Sequence, residues 1–204
     1  MKRRIEGVLL AAGESRRMGF PKPLLHLADG ETFLAHTATA MLTVVGRLVI
    51  VLGAHRRAVE AAVPADRRIS VVENSRYVLG QLSSIKVGIQ QVSAMADAAL
   101  VHLVDHPTVR ESTFQQLQDE FESGDKPIVV TRFQNRRGHP VIFGRSIFPE
   151  LLDASEAVGA RMVVNAAPER VGYSDVNDPG VLLDLDTPED LERAHLPRVP
   201  GLKL

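Results

Sequence analysis

The stretch Leu9–Lys22, LLAAGESRRMGFPK, joins the end of an apolar strand to a short basic loop that contains glycine. Gly13 allows backbone N–H groups to approach an anion closely. Arg16, Arg17 and Lys22 bring three positive charges to the same loop. In an open parallel sheet, ligands bind beyond the carboxyl ends of the strands, where this loop lies. The stretch therefore predicts an α/β protein with a polyphosphate-binding loop after its first strand.

The loop differs from two common phosphate-binding motifs. No Gly-Lys-Ser/Thr closes it, so it is not a Walker A loop. Gly13 and Gly19 do not have the spacing of the dinucleotide fingerprint G-x-G-x-x-G. A solvated basic turn between a strand and a helix therefore remains an alternative interpretation.

Short apolar runs alternate with amphipathic patterns through the first two thirds of the chain. Strands are predicted at Ile5–Ala11, Leu48–Leu52, Ile69–Val72, Ala98–Val104 and Ile128–Thr131. Helices are predicted at 32–44, 55–62, 82–92 and 111–121. Apolar strands separated by helices indicate βαβ units. We expect a single-domain three-layer α/β/α fold, with a mostly parallel Rossmann-like sheet and helices on both faces.

The pattern changes after residue 131. A short strand at Gly138–Phe143 contains Pro140, which places it at a sheet edge or a bulge. Helices are predicted at 148–152 and 158–165, and late strands at Val171–Val176 and Val181–Leu185. Thr187 is expected to cap a last helix. The domain is predicted to span residues 1–196, followed by a loose tail at 197–204.

Composition narrows the functional classes. The chain has 204 residues, 45% of them hydrophobic, and a net charge of −1. The lack of a basic field argues against nucleic-acid binding, and no apolar run is long enough to cross a bilayer. The absence of cysteine excludes disulfides and thiolate zinc sites, and it suits the cytoplasm. We expect a cytoplasmic protein with small-molecule partners.

Aspartates follow two apolar segments and are candidate magnesium ligands, because Mg²⁺ prefers carboxylates together with phosphate oxygens. Asp105 follows the predicted strand Ala98–Val104 and therefore lies on the same rim as the basic loop. Asp184 and Asp186 would share one face of a strand. Each of these residues is also explained as a turn or helix cap.

Two further clusters carry polar groups. Gly80, Ser83 and Ser84 stand at the start of a predicted helix, whose free N–H groups can bind a base edge or a phosphate, and Asn74 lies just upstream. Simple N-capping by Ser83 is the alternative. In the segment 136–140, RRGHP, two arginines precede a glycine and could hold an anionic acceptor.

In their order along the chain, these motifs resemble those of the MobA/MocA-like nucleotidyltransferases. The pattern LAAG-x-S-x-R-M-G-x-P-K of residues 10–22 is similar to the loop that wraps a nucleoside triphosphate in that family. The resemblance implies a nucleotide-diphospho-sugar transferase-like fold. It also implies a set of nucleotide-binding residues: Leu10, Ala11, Ala12, Gly13, Arg16, Arg17, Lys22, Asn74, Gly80, Ser83 and Ser84.

The resemblance also implies roles for the charged residues. Lys22 would stabilise charge at the α-phosphate, and Arg17, supported by Arg16, would hold the leaving phosphates. Asp105 and Asp186 would bind Mg²⁺, with Asp186 favoured over Asp184. The expected acceptor-binding residues are His106, Arg137, Gly138 and His139. His106 stands where the family usually has Gln or Met, which affects the acceptor rather than the carboxylate.

The implied reaction is transfer of a nucleotide from a triphosphate to a phosphorylated acceptor. The Ser-Ser, Arg-Gly-His-Pro and Asp-Thr-Pro-Glu-Asp elements favour the MocA branch, and hence CMP transfer from CTP to molybdenum cofactor (molybdopterin), with transient contact to a molybdoenzyme. Guanylyl transfer and nucleotidyl transfer to a sugar or alcohol phosphate remain open. A non-catalytic chaperone that binds nucleotide or cofactor is the alternative of another class.

Overall fold

A central sheet of seven strands organises the chain in a computed structural model that describes residues 3–199. The strands are β1 (Ile5–Ala11), β2 (Leu48–Leu52), β3 (Ile69–Glu73), β4 (Ala98–Leu103), β5 (Ile128–Phe133), β6 (Arg136–Gly144) and β7 (Val171–Asp175). Their order across the sheet is β3-β2-β1-β4-β6-β5-β7. β6 is antiparallel to its neighbours β4 and β5, and the other pairings are parallel. The mostly parallel sheet is confirmed.

Helices cover both faces of this sheet and complete three layers. They are α1 (Phe33–Met41), α2 (Arg56–Glu60), α3 (Gln81–Gln91), α4 (Glu111–Ser123), α5 (Phe148–Asp153), α6 (Ala160–Asn165) and α7 (Pro188–Arg193). Alternate side chains of β1 enter different cores: Leu9 joins the core with α1, α2, α4 and α7, whereas Leu10 joins the core with α3, α5 and α6. This alternation follows from the two-residue period of a strand.

The strand order reverses its direction at β1, and this reversal creates the crevice that holds the candidate site. The chain runs from β1 to β2 and β3 on one side, and returns to place β4 on the other side of β1. Leu10 pairs with Leu103, so the loop after β1 and the segment after β4 leave the sheet side by side. Such a switch point is where open α/β sheets bind ligands.

The prediction that the proline-containing strand lies at an edge is wrong, because β6 lies between β4 and β5. Its alternative, a bulge, is correct. Val130 pairs with Val141 and Arg132 pairs with Arg137, so the segment containing Pro140 lies opposite a single residue of β5. Pro140 has no N–H to donate, and the bulge removes it from the regular ladder.

The predicted strand Val181–Leu185 is also wrong, because a 3₁₀ turn occupies Pro179–Leu182. Asp178 caps this turn by accepting a hydrogen bond from the Gly180 N–H at 2.9 Å. The last predicted helix is confirmed: Thr187 caps α7, and Asp190 completes a reciprocal capping box.

The predicted tail at 197–204 falls partly outside the described residues, which end at 199. Val199 is only 5% exposed and packs against the core on the α1 face. Among the described residues, no helix is both long enough and apolar enough to span a bilayer.

Candidate active site

A cleft of about 390 Å³ opens at the carboxyl ends of β1 and β4. Its walls include many of the predicted site residues: Leu10, Ala11, Ala12, Gly13, Arg16, Arg17, Lys22, Gly80, Ser84, Asp105 and Asp186. It is also lined by residues that the sequence did not single out: Ser15, Pro23, Tyr77, Gln81, Leu103 and Val104. The basic loop, the carboxylates and the start of α3 therefore share one cleft.

The loop after β1 is held in a fixed shape around an open space. The Ser15 hydroxyl accepts a hydrogen bond from the Lys22 N–H at 3.0 Å and so closes the loop. A Cβ at Gly13 would meet no atom within 4 Å, so this glycine is not required by packing within the described residues. Because glycine has no side chain, a ligand in the cleft can come close to the backbone at this position.

Two cations of the loop contact an acidic cluster, which we define as Asp105, Asp184 and Asp186. The Lys22 ammonium is 2.9 Å from Asp105 Oδ2 and 3.7 Å from Asp184 Oδ1, and it also contacts Asp186 Oδ1. Arg17 contacts the other oxygen of Asp186. The basic loop and the acidic cluster therefore neutralise much of each other's charge.

Arg16 differs from its neighbour. Its side chain is 79% exposed, and it pairs with Glu14 at 2.9 Å rather than with the acidic cluster. It also lines the cleft, so it can turn toward an anion there without breaking a contact of the acidic cluster.

Burial and charge oppose each other in this cluster. Burial alone would lower the pKa of Lys22, but the nearby carboxylates outweigh it and raise the pKa above its ordinary 10.5. Burial alone would raise the pKa of Asp105, but Lys22 holds it below its ordinary value. The pKa of Asp184 is raised by burial and by the Asp105 charge. Lys22 and Asp105 are therefore charged at neutral pH.

The acidic cluster contains a donor set that suits a divalent cation. Asp105 Oδ1 is buried and has no hydrogen-bond partner among the described residues. Ligand atoms of Asp105, His106 and Asp184 all lie within 4.8 Å of one another. Both oxygens of the predicted ligand Asp186 contact Arg17 or Lys22, whereas Asp184 Oδ1 lies 3.7 Å from the Lys22 ammonium.

Asn74 and Ser83, both predicted to bind nucleotide, lie behind the cleft wall. Asn74 is 2% exposed, and its amide donates to the hydroxyls of Ser83 and Ser84, each at 2.9 Å. Ser83 in turn donates to the Gly80 carbonyl at 2.7 Å. Gly80 has φ of 97°, which only glycine adopts without strain. The two residues therefore shape the start of α3, while Gly80 and Ser84 line the cleft.

The four predicted acceptor-binding residues do not line the cleft. A Cβ at Gly138 would lie 2.2 Å from the Val181 carbonyl oxygen, so this glycine permits close packing. Arg137 donates to Asn165 Oδ1 at 2.7 Å and contacts the Tyr173 hydroxyl. Arg137 thus joins β6 to α6 and β7, beside the cleft rather than in it.

His106 and His139 form a tilted ring pair next to Asp105, with 55° between the ring planes. Their ring centroids are 5.5 Å apart, and the ring of the fully buried His102 lies 6.2 Å from that of His106. His139 Nδ1 is buried with no hydrogen-bond partner among residues 3–199. Burial, with repulsion from His106, lowers the pKa of His139 to about 4, so this ring is neutral at pH 7.

Together, the strand order and the cleft that joins a basic loop to carboxylates are those of a nucleotidyltransferase of the nucleotide-diphospho-sugar transferase fold. A nucleotidyl transferase from Methanothermobacter thermautotrophicus shares the fold, with a TM-score of 0.77 at 21% identity over 94% of this chain and 95% of its own. Residues 7–171 match the family model of the MobA-like NTP transferase domain. The chain belongs to this family and is an enzyme of the nucleotidyltransferase class.

Several relatives match along nearly their whole length. Nicotine blue oxidoreductase of Paenarthrobacter nicotinovorans is 32% identical, with 93% of this chain and 95% of that protein covered. The crystal structure of Rv0371c from Mycobacterium tuberculosis H37Rv is 31% identical and has a TM-score of 0.75, with 95% and 97% covered. A manganese complex of Rv0371c has a TM-score of 0.72 at 30% identity, with 95% and 98% covered.

Proposed function

We propose that this protein is a Mg²⁺-dependent nucleotidyltransferase that transfers CMP from CTP to a molybdopterin-type cofactor and releases pyrophosphate. The observation that carries the proposal is the meeting of a basic loop with Asp105 and Asp186 in one cleft, with Asp184 within 3.7 Å of the Lys22 ammonium. Anions and a divalent cation can be bound there together. The acceptor would carry a phosphate group. The protein would work in the cytoplasm and make a transient contact with a molybdoenzyme.

The cleft suggests how the triphosphate lies. The open wall at Gly13 can present backbone N–H groups to phosphate oxygens, and Arg16 and Arg17 can hold the β- and γ-phosphates. Lys22 is deeper in the cleft and would face the α-phosphate. Base and ribose would extend toward Gly80 and the other residues at the start of α3.

The acidic cluster fits a hard divalent cation, because carboxylate oxygens are the ligands that Mg²⁺ prefers. The partnerless Asp105 Oδ1 and the neighbouring Asp184 would hold the ion. The manganese complex of Rv0371c supports a divalent ion in this fold. When bound, the ion would neutralise charge on the reacting phosphate.

The chain's own residues would act by positioning and by charge. An acceptor phosphate is already ionised at neutral pH, so attack on the α-phosphorus requires no strong general base. Lys22 would exchange carboxylate oxygens for oxygens of the α-phosphate and stabilise the charge that develops there. Arg17 would stabilise the departing pyrophosphate. Catalysis of this kind depends on the alignment of the two substrates.

The acceptor is proposed to enter from the β6 side of the acidic cluster, near His106, Arg137, Gly138 and His139. The neutral imidazole of His139 and the guanidinium of Arg137 suit a polar, anionic ring system. A probable molybdenum cofactor guanylyltransferase of Rhodopirellula baltica matches 62% of this chain at 28% identity, which supports the cofactor as acceptor. The same similarity makes GTP the main competitor of CTP.

A second candidate is an oxidoreductase that binds a dinucleotide, because a relative 32% identical to this chain is a nicotine blue oxidoreductase. The loop that would hold a triphosphate can also hold the diphosphate of a dinucleotide. This candidate requires no divalent cation, which separates it from the first.

A thermal-shift panel followed by a turnover assay tests the proposal. CTP, GTP, ATP, UTP, NADH and NADPH are added with and without Mg²⁺. Ligand at 100 times its Kd stabilises by about 2.7 kcal/mol, or about 5–10 °C for a chain of this size. We expect the largest shift with CTP plus Mg²⁺, and pyrophosphate release only with molybdopterin. A Mg²⁺-independent shift with NADPH alone would favour the oxidoreductase and contradict the proposal.

A further inference from the structure

The Lys22 ammonium lies beside the carboxylates that a divalent cation would need to contact. It lies 2.9 Å from Asp105 Oδ2 and 3.7 Å from Asp184 Oδ1, the two carboxylates proposed as metal ligands. Its side chain is about 10% exposed, so water screens these contacts poorly. The basic loop thus supplies an internal counter-ion to the acidic cluster.

A bound metal and this ammonium would compete for the same carboxylates, although Lys22 contacts Asp105 Oδ2 and the oxygen without a partner is Oδ1. Mg²⁺ requires ligand oxygens at about 2.0–2.1 Å, and an ammonium within hydrogen-bond distance of the same carboxylates would then lie only a few ångströms from the ion. The repulsion between the two cations is strong at that distance in a poorly solvated site. Metal binding therefore requires the Lys22 side chain to move.

The backbone of Lys22 is held in place, so it cannot carry the ammonium away from the acidic cluster. Its N–H donates to the Ser15 hydroxyl at 3.0 Å, and its carbonyl accepts from the Leu25 N–H at 3.0 Å. Pro21 and Pro23 flank it and restrict φ on both sides. Only rotation of the side chain can withdraw the ammonium, and a buried ammonium needs another anion to pair with.

We propose that Lys22 excludes the divalent cation from the acidic cluster until a nucleoside triphosphate provides that other anion. The metal then binds with or after the nucleotide, never before it. This inference rests on the proposed function and deepens it, because it gives Lys22 a role in the order of binding in addition to its role at the α-phosphate.

Titration with Mn²⁺ in the absence of nucleotide, followed by electron paramagnetic resonance of the free ion, tests the inference. Lys22→Met removes the ammonium and keeps a long side chain, and we expect it to bind Mn²⁺ at least tenfold more tightly than wild type. Arg16→Met is the matched control, because it removes a positive charge from the same loop but not from the acidic cluster. We expect its Mn²⁺ affinity to stay within threefold of wild type.

Circular dichroism establishes that each variant is folded, and Lys22→Gln replaces Lys22→Met if the latter is not. Equal Mn²⁺ affinity in wild type and in the folded Lys22 variant overturns the inference and leaves the proposed function intact. A second titration contains a non-hydrolysable CTP analogue, and wild type should then bind Mn²⁺ and analogue together. Failure of wild type to bind the analogue with Mn²⁺ overturns the proposed function itself.

Discussion

Replacement of Asn74 with alanine should loosen the start of α3 and leave the acidic cluster unchanged. The Asn74 side chain makes three internal hydrogen bonds: its amide donates to Ser83 and Ser84, and its carbonyl accepts from the Arg76 N–H at 2.9 Å. At about 1 kcal/mol each, their loss should lower the free energy of unfolding by about 3 kcal/mol. Gly80 and Ser84 would no longer be held in place before nucleotide binds.

The expected kinetic effect is a rise in KM for the nucleotide of about tenfold, which corresponds to about 1.4 kcal/mol for reordering the turn. The turnover number should change less than threefold, because Lys22 and Asp105 belong to other elements. Urea denaturation gives the stability, and pyrophosphate release gives the kinetic constants.

The matched control is Ile89→Ala, on the same helix but more than one turn beyond Ser84, the last residue of α3 that lines the cleft. Ile89 is 3% exposed, and its truncation should destabilise by a similar 2–5 kcal/mol. Its KM should remain at the wild-type value. An equal rise in KM for both variants would contradict this prediction, because it would show that KM follows global stability rather than the order of this turn.

Three other perturbations have defined outcomes. Gly13→Ala should fold with an unchanged Tm, because its Cβ meets no atom within 4 Å, yet raise the nucleotide KM at least tenfold by holding the phosphates off the backbone. Arg17→Met should weaken product inhibition by pyrophosphate at least tenfold, since one charge-assisted hydrogen bond contributes about 1.5–3 kcal/mol. Burial depresses the pKa of His102 well below 6.5, so below about pH 6.5 this imidazole takes up a proton in the unfolded chain before it does in the folded protein, and the free energy of unfolding should fall as the pH drops. In urea denaturation, His102→Leu should reduce the slope of the free energy of unfolding against pH by up to about 1.4 kcal/mol per pH unit, and an unchanged slope would contradict this prediction.

The strands in the middle of the sheet were predictable because burial on both faces leaves a continuous apolar run. Ile5–Ala11 and Leu48–Leu52 begin and end in the structure where the sequence predicts them, and every residue in both is buried. For Gly138–Phe143 the sequence left an edge and a bulge open, and the structure has the bulge, because one proline is compatible with an interior strand once a bulge removes it from the ladder.

The part of the candidate site that could be predicted consists of residues that directly follow a strand. The loop containing Gly13 and the carboxylate of Asp105 each follow a strand, so sheet geometry alone brings them together. The rotation of a helix about its axis is not encoded in such a motif, and so Ser83 and Ser84 could not be told apart. The positions of Arg137 and His139 depend on how β6 crosses the sheet, which the sequence did not reveal.

A crystal structure with a non-hydrolysable CTP analogue and Mn²⁺ would show whether metal and triphosphate share this cleft, because the anomalous signal locates the metal independently of the nucleotide. We expect an anomalous peak between Asp105 and Asp184, with the triphosphate along the loop at Gly13 and the Lys22 ammonium moved onto the α-phosphate. A nucleotide bound outside the cleft, or a metal bound away from the acidic cluster, would contradict this expectation.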